Sequence, residues 1–264
     1  MHVCLLASGS KGNALLLSSA RSRLLIDAGL SARELGRRLA LVGVAPESLD
    51  AVLVSHEHVD HVRGLGVLSR RCRVPVYVHH AAAAVLSDQQ RPGGLREFDT
   101  GAELAIGDFG VRAFPVTHDA AAPVGFAISG PSGKFGIATD LGIATRLVAE
   151  ELRSCRCLIL EANHDEAMLR DGPYPWPLKQ RIKGNHGHLS NRDSASLLAQ
   201  LCWDGLEAVF LAHLSETNNH PDLAAAAADD VLGRQNCCRP QLLLGRQDRP
   251  SAWSACHTTR SHQP

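Results

Sequence analysis

The six residues His56-Glu57-His58-Val59-Asp60-His61 constrain this chain more than any other stretch. They stand one residue beyond the apolar run Ala51-Val52-Leu53-Val54, which reads as a buried strand. Residues two apart in an extended segment share a face, so His56 and His58 can grip one cation. Asp60 and His61, past the bend, can serve a second cation beside it. A polar surface turn, or core histidines satisfied by hydrogen bonds, needs no such density of imidazole and carboxylate. The segment marks a metalloprotein, and the chemistry expected of it is hydrolysis.

A two-metal centre needs further ligands at strand ends. His118 follows Val111–Thr117, Asp140 follows Phe135–Thr139, and His213 follows Val209–Ala212. A strand-end His or Asp taken singly is more often structural, but these recur in one context. His56, His58 and His118 can hold one ion, Asp60, His61 and His213 the other, and Asp140 can bridge with its two oxygens. That set leaves the open position a catalytic site requires, here for a bridging hydroxide. Asp27, ending another strand, is placed to fix a ligand imidazole from behind. Two divalent ions about 3.5–4 Å apart are expected. Zinc or manganese leads, although such ligands also accept iron.

Size and composition bound the rest. The 264 residues suit one large domain over 1–253, followed by a tail from Ser254 that lacks apolar periodicity and is expected to be disordered. With 27 basic and 27 acidic residues the chain has no global pull toward nucleic acid or membrane, though a local basic groove would suffice. No apolar run approaches the roughly 20 residues that span a bilayer. Met1–Ala7 lacks the basic flank of a signal peptide, so it reads as a first strand of a cytoplasmic protein. Among the eight cysteines, Cys155/Cys157 and Cys237/Cys238 lack the C-x-x-C spacing of zinc ribbons. Metal chemistry therefore falls to imidazole and carboxylate.

Short apolar runs at Val3–Ala7, Ala14–Ser18 and Arg23–Ile26 read as the opening meander of a sheet. Ser31–Leu41 has helical spacing, with Ser31 as N-cap and Glu34 completing a capping box. Further helices are expected at Val62–Arg70, Ala81–Leu86, Ile143–Arg153, Ser194–Cys202 and Pro221–Gly233. Strands are expected at Val74–Val78, Glu103–Ile106, Val111–Pro115, Val124–Ser129, Phe135–Thr139, Cys157–Ala162, Ala208–Ala212 and Gln241–Leu244. Each half runs from a meander into β-α alternation. The class is α/β, with two mixed sheets face to face and helices outside.

The H-x-H-x-D-H cluster, followed in order by His118, Asp140 and His213, resembles the metallo-β-lactamase superfamily over about residues 1–250. The resemblance implies a four-layer αββα sandwich with a dinuclear site between the sheets. Members of that superfamily cleave lactams, thioesters and phosphodiesters, so the fold leaves the substrate open. Asp140 stands where β-lactamases typically carry cysteine, which argues against antibiotic hydrolysis. Leu158–Asp165, Gly187–Asn191 and Leu211–Asn219 resemble the H-E-A-T, G-H-S-T and T-H-x-S segments of tRNase Z-like nucleases. With Ala7–Asn13, they are most similar to the YycJ (WalJ) branch. This implies a cytosolic bacterial phosphodiesterase acting as a 5′→3′ exonuclease on DNA. Leu160 replaces the histidine before Glu161, so a Glu–His relay must use another residue or be absent.

Phosphodiester cleavage fits these residues. Asp60 and His188 are the expected catalytic groups, Asp60 as a ligand and His188 as an imidazole left over to orient phosphate or protonate the leaving oxygen. Ser190 and Asn191 either bind phosphate or cap the following helix. Lys11 and Asn13, with Gly9 and Gly12, form either a phosphate cradle or a plain hairpin turn. Tyr174–Lys183 mixes aromatics with cations, suited to stacking a base or to anchoring a loop. DNA is favoured over RNA. A glyoxalase II-like thioesterase shares all the ligands, and an RNA-processing nuclease is a further alternative. A β-CASP insertion has no room between Asp140 and His213.

Overall fold

The structure, a computed structural model, describes residues 1–255. Its strands are β1 (His2–Ala7), β2 (Ala14–Ser18), β3 (Arg23–Ile26), β4 (Ala51–Leu53), β5 (Val76–His79), β6 (Leu95–Phe98), β7 (Glu103–Ile106), β8 (Phe109–Pro115), β9 (Val124–Gly130), β10 (Gly133–Ala138), β11 (Cys157–Glu161), β12 (Ala208–Ala212), β13 (Gln241–Leu244) and β14 (Ser254–Ala255). Its helices are α1 (Ala32–Leu41), α2 (Val59–Val62), α3 (Leu65–Cys72), α4 (His80–Val85), α5 (Arg146–Leu152), α6 (Glu166–Asp171), α7 (Trp176–Lys183), α8 (Asn191–Leu201) and α9 (Pro221–Gly233).

Two seven-stranded sheets form, ordered β14-β1-β2-β3-β4-β5-β6 and β13-β12-β11-β10-β9-β8-β7. In the first, β1 to β3 pair antiparallel and β3 to β6 parallel. In the second, β7 to β10 are antiparallel and β10 to β13 parallel. Strands buried on both faces read as continuous apolar runs, and alternate residues then enter different cores. Val3 and Leu5 join Phe126, Phe135 and Phe210 between the sheets, while Cys4 and Leu6 pack with Leu35 and Leu39 of α1. In β11, Cys157 and Ile159 face the other sheet, and Leu158 and Leu160 pack beneath Leu197 and Leu201 of α8. The result is the expected αββα sandwich. Among the described residues no helix is long and apolar enough to cross a membrane.

Four local expectations change. The helix expected over 62–70 is two helices, α2 and α3, parted at Gly64, where a Cβ would lie 2.3 Å from the Leu30 carbonyl oxygen. Strand β6 was not expected; three of its four residues are exposed, so it carries no burial pattern. The polar stretch at 171–186 contains α7, whose Pro177 sits in the first turn, where its missing N–H is harmless. Ser254 and Ala255 pair with Val3 and His2 instead of opening the tail; the tail from Cys256 lies outside the described residues.

Gly29 connects this fold to the site. Asn13 N donates to Asp60 O at 2.8 Å, Gly29 N to Asn13 O at 2.9 Å, and Ala28 N to His61 O at 2.7 Å. The loops after β1 and β3 are thereby stitched to α2. A Cβ on Gly29 would lie 1.6 Å from Asp60 O. We predict that Gly29→Ala costs about 1–3 kcal/mol by overpacking, read as a lower Tm, together with weaker cation binding by equilibrium dialysis. An unchanged Tm would show that the two loops and α2 do not depend on this approach.

Candidate metal centre and active site

Parallel strands place their carboxyl ends on one rim, where open α/β sheets collect functional groups. His56 follows β4, His58 caps α2, and Asp60 and His61 lie within it. His118 follows β8, Asp140 follows β10, Glu161 ends β11, and His213 follows β12. Asp27, Asp140 and His213 leave their strands with φ of 62°, 56° and 56°. That left-handed conformation costs L-residues roughly 1–2 kcal/mol each, and here it turns each side chain sharply at a strand end.

The two ligand triads expected from the sequence come together in space. His56, His58 and His118 offer ligand atoms within 4.8 Å of one another, as do Asp60, His61 and His213. Asp140 joins His56 and His61 in a third such group. Hydrogen bonds on the far side of several rings set their orientation. His61 Nδ1 lies 2.8 Å from Asp27 Oδ2, His118 Nδ1 3.1 Å from Gly187 O, and His213 Nδ1 2.9 Å from Glu161 Oε1. His56 Nδ1 lies 3.0 Å from Ser55 Oγ.

The opposite atoms converge on one another. His56 Nε2, His213 Nε2 and Asp140 Oδ2 are buried with no hydrogen bond. His58 Nδ1 and His118 Nε2 face each other at 3.3 Å. His61 Nε2 approaches Asp140 Oδ2 at 3.3 Å and Asp60 Oδ2 at 3.5 Å. Buried, unpaired polar atoms are costly, and converging lone pairs from imidazole and carboxylate are what a divalent cation satisfies. The residues fit divalent metal ions.

Charge points the same way. Burial opposes a charge on His61, yet Asp140 and Asp27 raise its pKa well above the usual imidazole value. His213, equally buried, is raised to about 10 by Asp140, Asp60 and Glu161. Burial opposes ionisation of Glu161, but His188 and His213 hold its carboxyl down at about 2. The carboxylates thus create a centre that favours positive charge.

A cavity of about 380 Å³ opens over the centre, walled by His58, Asp60, His118, His188, His213 and α7. His188 borders it with Nδ1 2.8 Å from Glu161 Oε1. Burial works against protonation of His188, but the Glu161 charge raises its pKa. Glu161 therefore does have imidazole partners despite Leu160. They come from the loop before α8 and the end of β12, and its place at a strand end was the available signal. Ser55 was not expected either; its N and Oγ bond Asp27 at 2.8 and 2.9 Å.

The substrate-binding residues expected from sequence each have contacts within the protein. Lys11 Nζ pairs with Glu216 at 2.5 Å, and the Gly9, Lys11 and Gly12 N–H groups are bonded to Asn13 Oδ1, Gln247 Oε1 and Gly9 O. Those three donors are therefore taken. Asn13 Nδ2 lies 3.1 Å from His61 Nε2, beside the ligands. Ser190 Oγ caps α8 by accepting from Asp193 N, and Asn191 exchanges side-chain bonds with Asn219. Both are buried; Ser190 is the helix cap, and Asn191 is held by Asn219.

Fold and site together define a metallohydrolase, and the chain belongs to the β-lactamase superfamily, whose domain model matches residues 22–213. It is 36% identical over 225 residues to the exodeoxyribonuclease WalJ of Streptococcus pneumoniae, covering 83% of this chain and 84% of that protein. It is 35% identical over 240 residues to the exodeoxyribonuclease YycJ of Bacillus anthracis, covering 88% and 89%. The crystal structure of the metallo-β-lactamase-fold protein YhfI from Bacillus subtilis matches with a TM-score of 0.73 at 17% identity, covering 96% of this chain and 99% of that one. The human short-form tRNase Z matches with a TM-score of 0.67 at 16% identity, covering 97% and 100%.

Cations that bind the folded site stabilise it by mass action, about 2.7 kcal/mol at a hundred times Kd. Adding zinc or manganese to metal-stripped protein should raise its Tm, and Asp140→Ala should remove most of that rise. An equal rise in the variant would exclude Asp140 from the cation site.

Proposed function

We propose that this protein is a metal-dependent exodeoxyribonuclease of the cytoplasm. The observation that carries the reading is His188, which is held by Glu161, borders the cavity and lies outside both ligand triads while within 4.8 Å of ligand atoms of Asp140, Glu161 and His213. Support for DNA as the polymer comes from the 35–36% identity to the WalJ and YycJ exodeoxyribonucleases. Held by His56, His58 and His118, by Asp60, His61 and His213, and by a shared Asp140, two divalent cations would activate water and neutralise phosphoryl oxygens.

The chain's own groups do the rest. Glu161 fixes the His188 ring through Nδ1, leaving Nε2 to give a proton to the departing oxygen. Arg181, braced by Asp119 at 2.5 Å, lines the same cavity and can screen a flanking phosphate. Tyr174, Leu178 and Ile182 give the sugar and base an apolar wall.

Metal-reconstituted protein should release nucleotides from end-labelled DNA, with a 5′ label freed first, and turn over thioesters and β-lactams far more slowly. Faster thioester hydrolysis would overturn the nuclease reading, and a preference for RNA would reassign the polymer. Asp60→Ala should fold and retain one cation of two by elemental analysis. His188→Ala should keep both cations while losing about 10²–10⁴-fold in turnover; an unchanged rate would remove it from the reaction.

A further inference from the structure

Helix α7 carries a second cleft on the face turned away from the catalytic cavity. Leu178, Arg181 and Ile182 line the cavity. Trp176, Lys179, Gln180 and Lys183 line a separate cleft of about 300 Å³ together with Arg170 of α6 and His164. The two sets follow the i, i+3, i+4 spacing of opposite helix faces, so one helix about 10–12 Å across divides the two spaces.

The outer cleft has the parts of a ligand site. Trp176 is 68% exposed, whereas a large ring is normally buried. Trp203 Nε1, by contrast, donates to Cys155 O, and Trp253 packs edge-on against His2. Around Trp176 stand Arg170, which pairs with Asp171 at 2.8 Å, Lys179, which donates to Arg170 O at 2.7 Å, and Lys183. Glu166 is the acidic member of the lining. His164 is 2% exposed, and its Nδ1 is buried with no hydrogen-bond partner. Such a group is costly until something supplies the bond.

We propose that this cleft binds a nucleotide of the single strand beyond the bond being cut, with a base stacked on Trp176 and its phosphates beside Arg170, Lys179 and Lys183. The inference rests on the nuclease reading for its ligand. An exposed aromatic ringed by cations is how single-stranded nucleic acid is held without sequence preference. The strand crosses α7 to reach the cavity, so the contact belongs to oligonucleotides and not to mononucleotide esters.

The test uses metal-loaded protein and a single-stranded decathymidylate with phosphorothioate linkages, followed by tryptophan fluorescence in the wild type and by anisotropy of a fluorescein-labelled oligonucleotide in every variant. Binding should quench the wild-type signal. Trp176→Ala should abolish the quench and weaken binding about 5- to 100-fold, Trp176→Phe should restore most of the affinity, and Lys183→Glu should weaken it and flatten its salt dependence. Hydrolysis of thymidine 5′-(p-nitrophenyl phosphate) should stay within about twofold in Trp176→Ala, because that ester occupies the cavity alone. Equal decathymidylate affinity in wild type and Trp176→Ala overturns the proposal. Quenching by the oligonucleotide without cleavage of any polynucleotide would instead refute the nuclease reading and leave the cleft as a nucleic-acid site.

Discussion

One buried carboxylate organises the first half of the molecule. Asp27 is 4% exposed and accepts from Ser55 N at 2.8 Å and Ser55 Oγ at 2.9 Å, and it meets His61 Nδ1 at 2.8 Å. Burying such a group is expensive unless its oxygens are bonded, so the ends of β3 and β4 and the ring of His61 are tied to one position. The left-handed backbone at Asp27 is offset by these bonds. With His61 fixed, α2 is fixed, and with it Asp60 and His58.

The second half repeats the solution with Glu161. Its Oε2 accepts from Leu141 N at 3.0 Å and Leu189 N at 3.1 Å, and its Oε1 meets His188 and His213 at 2.8 and 2.9 Å. Segments following β10, preceding α8 and following β12 therefore converge on one fully buried side chain. Each mixed sheet contributes one acidic anchor, and the metal ligands hang from the pair. The same atom of Glu161 serves a ligand ring and the cavity-lining His188, which couples the metal centre to the proposed proton donor.

Helix α7 adds what the sandwich alone lacks. The inner rim supplies histidines and carboxylates, whereas α7 brings Tyr174, Leu178 and Arg181 over the opening. Asp119 follows His118 directly and pairs with Arg181, so one loop holds a ligand and braces the wall facing it. In the proposed reading, a polymer is placed above the metal centre by this short helix more than by either sheet.

The sequence alone determined the sandwich and the candidate ligands that share its rim, because both depend on short-range order. Apolar runs of four to seven residues fix the strands, and ligands placed directly after them inherit a common rim once parallel pairing occurs. His56, His118, Asp140 and His213 were legible for that reason. Tertiary structure alone decided which residues would lie behind them. Glu161 meets His188 across 27 positions and His213 across 52, distances at which no periodicity carries information. It also decided that Ser190 caps α8, that Asn191 pairs with Asn219 and that Lys11 is held by Gln247 and Glu216, since a donor's availability depends on its neighbours in space. The two faces of α7 were hidden likewise: Pro175 and Pro177 disguise the helix start, and only packing shows which face meets the cavity.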